Sequence, residues 1–540
     1  MTTNTIFDYI VVGAGSAGCV VANRLSENGK FTVLLLEAGK SHKSIILDMP
    51  AALGLPLEST KFNWGFKSQP DAGVNGNISD QHRGRVLGGS SSINGMVFVR
   101  GNPRDFDRWA EAGLPDWSYK HCLPYFKKME TYEGGGDEFR GGEGPMQVHK
   151  CNADNPLYEA FLGAGQDYGL VFNKDQNGKS QEGVNIAQSS TFKGNRWSTA
   201  RGYLDPARNR KNLTIHSSAH VRQIKIVGKR ATGVEYLHEG KPVSAEARNE
   251  VILSAGAFGT PQLLMIAGIG DEAELKSHDI KVVHHLPGVG RNLQDHAAVP
   301  IQYSTTRNVS PTFQLSSKIG RGYVGARWLL AKSGLGTSNY FEVGAFFKGN
   351  EQVEYANLQH EFFPMIGEFY RGEARINPGF QYFTSVMRPE SRGHVTLKSK
   401  NPLDAPVIKL NFLDKIGDLE QLREGIRTTR EMIAQKSWNA LRGVEVSPGI
   451  DIQSDKELEG WIRANAGTGY HAVSTCRMGY DEMAVTDNEG RVHGVQGLRI
   501  IDASLMPYLT TGNTNAPTIM MAEKLADKVL GKALPPALIE

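Results

Sequence analysis

The chain has 540 residues, 40% hydrophobic and 22% charged, which excludes a disordered or fibrous protein and calls for more than one core. Sixty basic against 57 acidic side chains leave a formal charge of +3, spread without long runs, so nothing points to nucleic acid or another strongly anionic partner. The four cysteines, Cys19, Cys122, Cys151 and Cys476, form no C-x-x-C pair, which argues against a disulfide scaffold or a structural metal and for a reducing compartment.

The opening MTTNTIFDYIVVG lacks the basic start and long apolar run of a signal peptide. Residues 8–37 then read as strand, glycine turn, helix and strand. The first strand covers Tyr9 to Val12, the helix runs from Cys19 to Leu25, and the second strand spans Phe31 to Leu36. Gly13, Gly15 and Gly18 make a G-x-G-x-x-G pattern, and the second strand ends at Glu37. In such a unit the first glycine permits a tight turn, the second lets the backbone approach a pyrophosphate, and the third lets helix and strand pack closely. The phosphates meet the positive helix end, and the acidic residue accepts from ribose hydroxyls. The pattern leaves NAD and FAD open, while Glu37 disfavours the 2′-phosphate of NADP.

Further along comes a second glycine and serine cluster, GRVLGGSSSINGMVFVRG at 84–101. The window VILSAGAFGTPQLLMIAGIG, 251–270, is uncharged and twenty residues long, yet its glycines and proline make it a buried strand and turn rather than a membrane helix. FQYFTSVM and GHVTLKS, within 380–399, alternate as strands of a sheet outside the parallel core. DLEQLREGIRTTREMIAQ, 418–435, has the period of an amphipathic helix. Near the end stand a lone histidine in GYHAVSTCRMG, 469–479, and an asparagine-rich turn in TTGNTNAPT, 510–518.

The segments 84–101 and 256–270 resemble the two signature segments of the glucose–methanol–choline (GMC) oxidoreductases. The likeness continues through PGVGRNLQDH, SRGHVTLKS, YHAVSTCRMG and DASLMPYLTTGNTNAPTIMMAEKLAD in family order, and is nearest to the bacterial choline and alcohol dehydrogenase branch. It implies an α/β fold, α+β overall. A discontinuous Rossmann-like FAD-binding domain over 1–155, 200–305 and 460–540 is expected, with a substrate-binding domain over 156–199 and 306–459 that contains an antiparallel sheet.

The resemblance implies FAD rather than NAD. Gly13, Gly15, Gly18 and Glu37 match its diphosphate and ribose contacts, and Gly88, Gly89, Ser90, Asn94 and Gly95 match the loop beside the flavin. Val221 resembles the backbone contact to adenine, and Asp502 and Ala503 the residues near the ribityl chain and pyrophosphate. Relatives that tether their flavin use a histidine where this chain has Ile93, so the FAD is expected to be non-covalent.

His471 and Asn513 match the catalytic pair. Oxidising a primary alcohol to an aldehyde removes a hydride, which flavin N5 accepts, and a hydroxyl proton, which needs a base. An imidazole with a pKa near ~6.5 suits that task, and Asn513 can hydrogen-bond the substrate oxygen. Asn515 is expected to act in the turn or in positioning the flavin. Glu342, Trp64 and Tyr470 match positions where relatives hold a trimethylammonium head through a carboxylate and aromatic faces, and similar residues serve relatives that act on neutral alcohols. The alternatives are an oxidase using oxygen, a hydroxynitrile lyase with structural FAD, a silent flavin-binding protein, and a simple NAD dehydrogenase. Expected partners are a small alcohol and a quinone or other electron acceptor. The expected location is the cytoplasm, with peripheral contact at the inner membrane open, although no long amphipathic anchor stands out.

Overall fold

The computed structural model describes residues 5–370 and 373–539. Val33–Leu36 is a run of four buried aliphatic residues, as a strand covered on both faces of a parallel sheet requires. It lies between Leu213–His216 and Thr5–Val12, parallel to both, and Thr5–Val12 pairs in parallel with Lys241–Leu253. The first half of that last strand continues antiparallel into Arg230–His238 and then Ala219–Val227, while its final residues pair in parallel with Leu498–Ile500. The apolar window at 251–270 ends this strand and then forms a short helix, Gly256–Ile266, that contains Pro261. Among the described residues no helix is long and apolar enough to cross a membrane.

A second sheet is antiparallel throughout. Its order is Arg442–Ser447, Ala297–Thr305, Phe380–Val386, Leu358–Phe363, Val343–Phe347 and Gly183–Ile186. FQYFTSV therefore supplies a central strand. GHVTLKS does not join it, because His394–Thr396 pairs with Val407–Lys409 in a separate ribbon. The expected helix at 418–435 is observed as Ile416–Ala434, burying Leu419, Leu422, Ile426 and Ile433. Ala297–Thr305, read from sequence as the end of a nucleotide-binding segment, runs in this antiparallel sheet, and Gly467–Thr468 pairs beside its start.

The glycine turn is held by contact rather than by flexibility. Gly13 adopts φ +98°, and a Cβ there would lie 2.5 Å from the carbonyl oxygen of Ser254. A Cβ on Gly18 would sit 1.8 Å from the oxygen of Gly13. Strand, turn and the helix Ser16–Ser26 (α1) thus pack backbone to backbone, which only glycine permits.

Candidate active site

Ser16 opens α1, whose N-cap residue, Gly15, makes no side-chain cap and whose first turn holds no acid. The helix Asn515–Val529 (α3, numbered after Lys318–Ala331, α2) also begins without a side-chain cap or an acid in its first turn. The two ends meet where Ser16 Oγ donates to Asn515 Oδ1 at 2.7 Å. Two uncapped positive helix ends side by side form a place for a diphosphate. A Cβ on Gly15 would find no atom nearer than 3.9 Å, so this glycine leaves open space that packing does not demand. Glu37 is buried behind the turn and accepts from the amides of Ala14 at 3.0 Å and Gly39 at 2.8 Å. Burial pushes its carboxyl up to about 7, against the pull of those two amides. The Ala219 amide donates to the Glu37 carbonyl at 2.8 Å, which brings Val221, two residues further on, to the same end. The residues present fit the ADP half of FAD: an open backbone cradle, converging helix ends and an acidic group at the strand end.

The loop at 88–95 lies against that turn. Gly88 has φ +91° and Gly89 φ +52°, and a Cβ on Gly89 would reach 2.6 Å from Gly15 Cα. Ser90 Oγ accepts from the Gly84 amide, and Arg196 donates to both the carbonyl and Oδ1 of Asn94. Ile93 is 2% exposed and packs with Leu47, Phe62 and Val86. Gly95 faces the Phe341 ring, 3.7 Å from where its Cβ would be. The Asp502 side chain accepts from Gly256, Thr260 and Ser504, so it secures the start of the Gly256–Ile266 helix, with Ala503 following it in a short turn.

His471 and Asn513 meet at the seam between the two sheets. Segments 294–296 and 469–473 run side by side: Gln294 and Val473 exchange backbone hydrogen bonds, and Gly469 donates to the His296 carbonyl. Asp295 accepts the His471 amide at 2.8 Å. Tyr470, at φ +63°, reverses the chain just before the histidine. The His471 ring then lies 2.9 Å, Nδ1 to Nδ1, from His296, and its Nε2 is 3.1 Å from Asn513 Nδ2. The same Asn513 amide donates to Glu361 Oε1 at 3.1 Å, while its own Oδ1 is buried without a protein partner. The loop carrying Asn513 is anchored by Thr511, which binds the buried Asp105 through its amide and hydroxyl, and by Leu509, which donates to Gln294.

Burial lowers His471 well below the ordinary imidazole value, with His296 and Arg83 adding to the effect, and burial lowers His296 to about 3. Both rings are therefore neutral, and one proton is shared between the facing Nδ1 atoms. With Asn513 donating to His471 Nε2, that proton belongs to His471 Nδ1, and the Nε2 lone pair is directed at the Asn513 amide.

Glu361 and His296 were missed in the sequence. Strand alternation turns His360 into an aromatic layer with Phe347 and Tyr382 and turns Glu361 to the opposite side. Glu361 sits opposite Gly344 and Phe383 in the pairing. Burial raises its carboxyl, and only the Asn513 amide opposes this.

The three residues read as a cationic-head site do not meet. Glu342 accepts from the Ala153 amide at 2.7 Å, near Tyr158, Tyr340 and Ser338. Trp64 stacks on Phe66 and takes His220 edge-on, with Arg85 over its face. The Tyr470 ring is 43% exposed against His82. Phe383 is paired across the strands with Glu361, and its ring lies 6.1 Å from that of Phe341.

Family models described as GMC oxidoreductase match residues 7–298 and 389–522. An oxygen-dependent choline dehydrogenase of Chromohalobacter salexigens is 47% identical over 538 residues, covering 98% of this chain and 96% of its own. The protein of that name from Citrobacter koseri is 46% identical over 536 residues, covering 97% and 95%. Among solved structures, pyridoxine 4-oxidase from Mesorbium loti has a TM-score of 0.89 at 28% identity, covering 97% of this chain and 99% of its own. A formate oxidase has a TM-score of 0.92 at 26% identity, covering 98% and 99%.

The two glycines of the turn separate binding from folding. Gly18→Ala must push apart helix and strand, an overpacking that costs about 1–3 kcal/mol or more, and its melting temperature drops even without cofactor. Gly15→Ala has room for its methyl, so the apoprotein melts as the parent does while FAD titration gives weaker binding. Equal apoprotein melting temperatures for the two variants would contradict this division.

Proposed function

The chain belongs to the GMC oxidoreductase family, and we propose that it oxidises a primary alcohol to its aldehyde with His471 as the base. It is an FAD-dependent oxidoreductase acting on an alcohol, as the choline dehydrogenases and oxidases it resembles also indicate. The observation that carries the catalytic assignment is the neutral His471 Nε2 beside the Asn513 amide at the seam of the two sheets. When bound, FAD supplies the acceptor for the hydride leaving the carbinol carbon. His471 Nε2 takes the hydroxyl proton, and Nδ1 remains hydrogen-bonded to His296, which keeps the ring in one orientation. Asn513 donates to the substrate oxygen as negative charge grows on it. The His471 amide, fixed by Asp295, prevents the ring from swinging away.

Gly13, Gly15, Gly18, Glu37 and Val221 would hold the ADP half of the cofactor. Gly88, Gly89, Ser90, Asn94 and Gly95 would line the flavin, with Asp502 and Ala503 behind the chain that joins the halves. Ile93 offers no nucleophilic atom and is packed away in an apolar cluster, which supports non-covalent binding. Electrons leave to an acceptor, for which we propose a quinone or a similar small molecule, at a cytoplasmic site with peripheral access to the inner membrane.

For the substrate we propose that Glu361, rather than the Glu342, Trp64 and Tyr470 set, faces the group next to the carbinol. It is the carboxylate in contact with Asn513. An ammonium or a second hydroxyl would satisfy it, and Phe383, its partner on the next strand, with Phe341 packed near it, would supply aromatic faces. Choline, which the relatives' names carry, is one alcohol of this kind.

His471→Ala is expected to keep bound flavin and to lose about 10²–10⁴ in the rate of anaerobic flavin reduction, and Asn513→Ala roughly 10². Stopped-flow reduction by the best alcohol of a panel reads both, and near-parental reduction by the histidine variant would remove it as the base. Because His471 titrates below 6.5, its base form persists as pH falls through that value. The acid limb of kcat/KM therefore lies below 6.5, and a midpoint at or above 6.5 would contradict a buried neutral imidazole. Glu361→Gln should raise KM for choline far more than for an uncharged alcohol of similar size. Equal increases would restrict Glu361 to positioning Asn513.

A further inference from the structure

Helix α2, Lys318–Ala331, is fastened to the molecule by a narrow stripe. Val324 and Trp328 are 4% and 2% exposed, and the Trp328 indole donates to the Gly194 carbonyl at 2.6 Å. At 100° per residue, Ile319, Tyr323, Ala326 and Leu330 fall on the opposite side of the helix in a single outward row, spaced by four, three and four residues. Ile319 and Leu330 are 87% and 86% exposed, and Phe313, one short turn earlier, is also bare. An apolar row aimed into water is the reverse of what a surface helix needs for its own folding.

The charge around this row has one sign. From residue 296 to residue 341 the chain holds no aspartate or glutamate, against Arg307, Lys318, Arg321, Arg327 and Lys332. Lys318 and Arg327 flank the apolar row on either side by the same helical geometry. Among the described residues neither they nor Arg321 forms an ion pair; Arg321 binds carbonyls of its own loop, and Lys332 lies over the Trp328 ring. An apolar row bordered by unpaired cations matches the depth profile of an anionic leaflet, with acyl chains below and negative headgroups at the rim. A second copy of the same helix fits less well, because two such faces would bring like charges together.

We propose that α2 is a docking face for an anionic lipid bilayer, with Ile319, Tyr323 and Leu330 entering the headgroup boundary and Lys318 and Arg327 meeting the headgroups. The helix also shares packing with the site. Leu315 and Leu335, on either side of it, lie in the cluster that includes Tyr340, Phe341, Phe363 and Phe383. The assignment rests on α2 alone and is independent of the catalytic reading.

The test is co-sedimentation of the FAD-loaded full-length protein with two kinds of vesicle, pure phosphatidylcholine and an equimolar mixture of phosphatidylglycerol and phosphatidylcholine. Binding is expected to the mixed vesicles only, and to weaken as salt is raised. Ile319→Ser with Leu330→Ser should weaken it by roughly tenfold or more, and so should Lys318→Glu with Arg327→Glu. Alcohol turnover in free solution should be unchanged in both pairs, which separates this result from any failure of the active-site assignment. Absence of binding to the mixed vesicles, or equal binding to both kinds, would overturn the proposal. So would a protein that is dimeric in solution, becomes monomeric on the two serine substitutions and ignores lipid, since the face would then serve self-association.

Discussion

One hydrogen bond, from the His471 amide to the Asp295 carboxylate, holds the two halves of the protein in register at the proposed catalytic site. Segment 294–296 leads into the antiparallel sheet, and segment 469–473 leads out of it toward the parallel one. Wherever these two segments pair, His471, His296 and the loop carrying Asn513 come with them. The carboxylate is buried, which raises its pKa, but Arg83 and three hydrogen-bond donors hold its charge. A buried carboxylate with that many partners is a rigid peg. A shift of one residue at this seam would turn His471 away and leave the Asp295 charge without its donor.

The setting that lowers the His471 pKa would also make it a weak base in the proposed reaction. A half-buried ring held neutral takes a proton reluctantly, and general-base efficiency falls as basicity falls. The arrangement succeeds only if the hydroxyl becomes more acidic as the neighbouring carbon gives up its hydride, so that proton and hydride leave in concert or nearly so. His296 contributes a hydrogen-bond acceptor for His471 Nδ1, and its proximity adds to the lowering of the His471 pKa. Glu361 reaches the ring through the Asn513 amide, which lies 3.1 Å from both the carboxylate and His471 Nε2.

What could be read from the chain alone was whatever depends on local contact. The turn at Gly13, Gly15 and Gly18 was legible because its steric demand is expressed within six residues, and Glu37 because it closes the same strand. The helix at 416–434 and the central strand 380–386 were legible from their periods. His471 and Asn513 were readable only through family resemblance, since nothing local distinguishes them. Glu361 was not readable at all: His360 and Glu361 are adjacent, and which of them faces the catalytic pair depends on the pairing of Leu358–Phe363 with strands far away in sequence. Glu342 invited the opposite error. It stands in a suggestive context, but its carboxylate is turned to the Ala153 amide. Trp64 and Tyr470 likewise form partnerships set by tertiary contact, with Phe66 and His82.

The outward row on α2 extends this lesson, because its meaning comes from what it fails to bury. Within residues 296–341 the apolar positions serve two surfaces. Leu315 and Leu335 pack into the aromatic cluster around Phe341, Val324 and Trp328 are buried on the inner side of the helix, and Ile319, Tyr323 and Leu330 face out. A helix pinned along so thin an inner stripe gains little stability from its own protein, and tertiary packing supplies most of the stability of short helices in water. An apolar boundary outside would provide the missing face. The outer row and the aromatic cluster would then share one support, since the turn at 334–337 packs against Trp328 through Gly336 and places Leu335 in the cluster with Phe341.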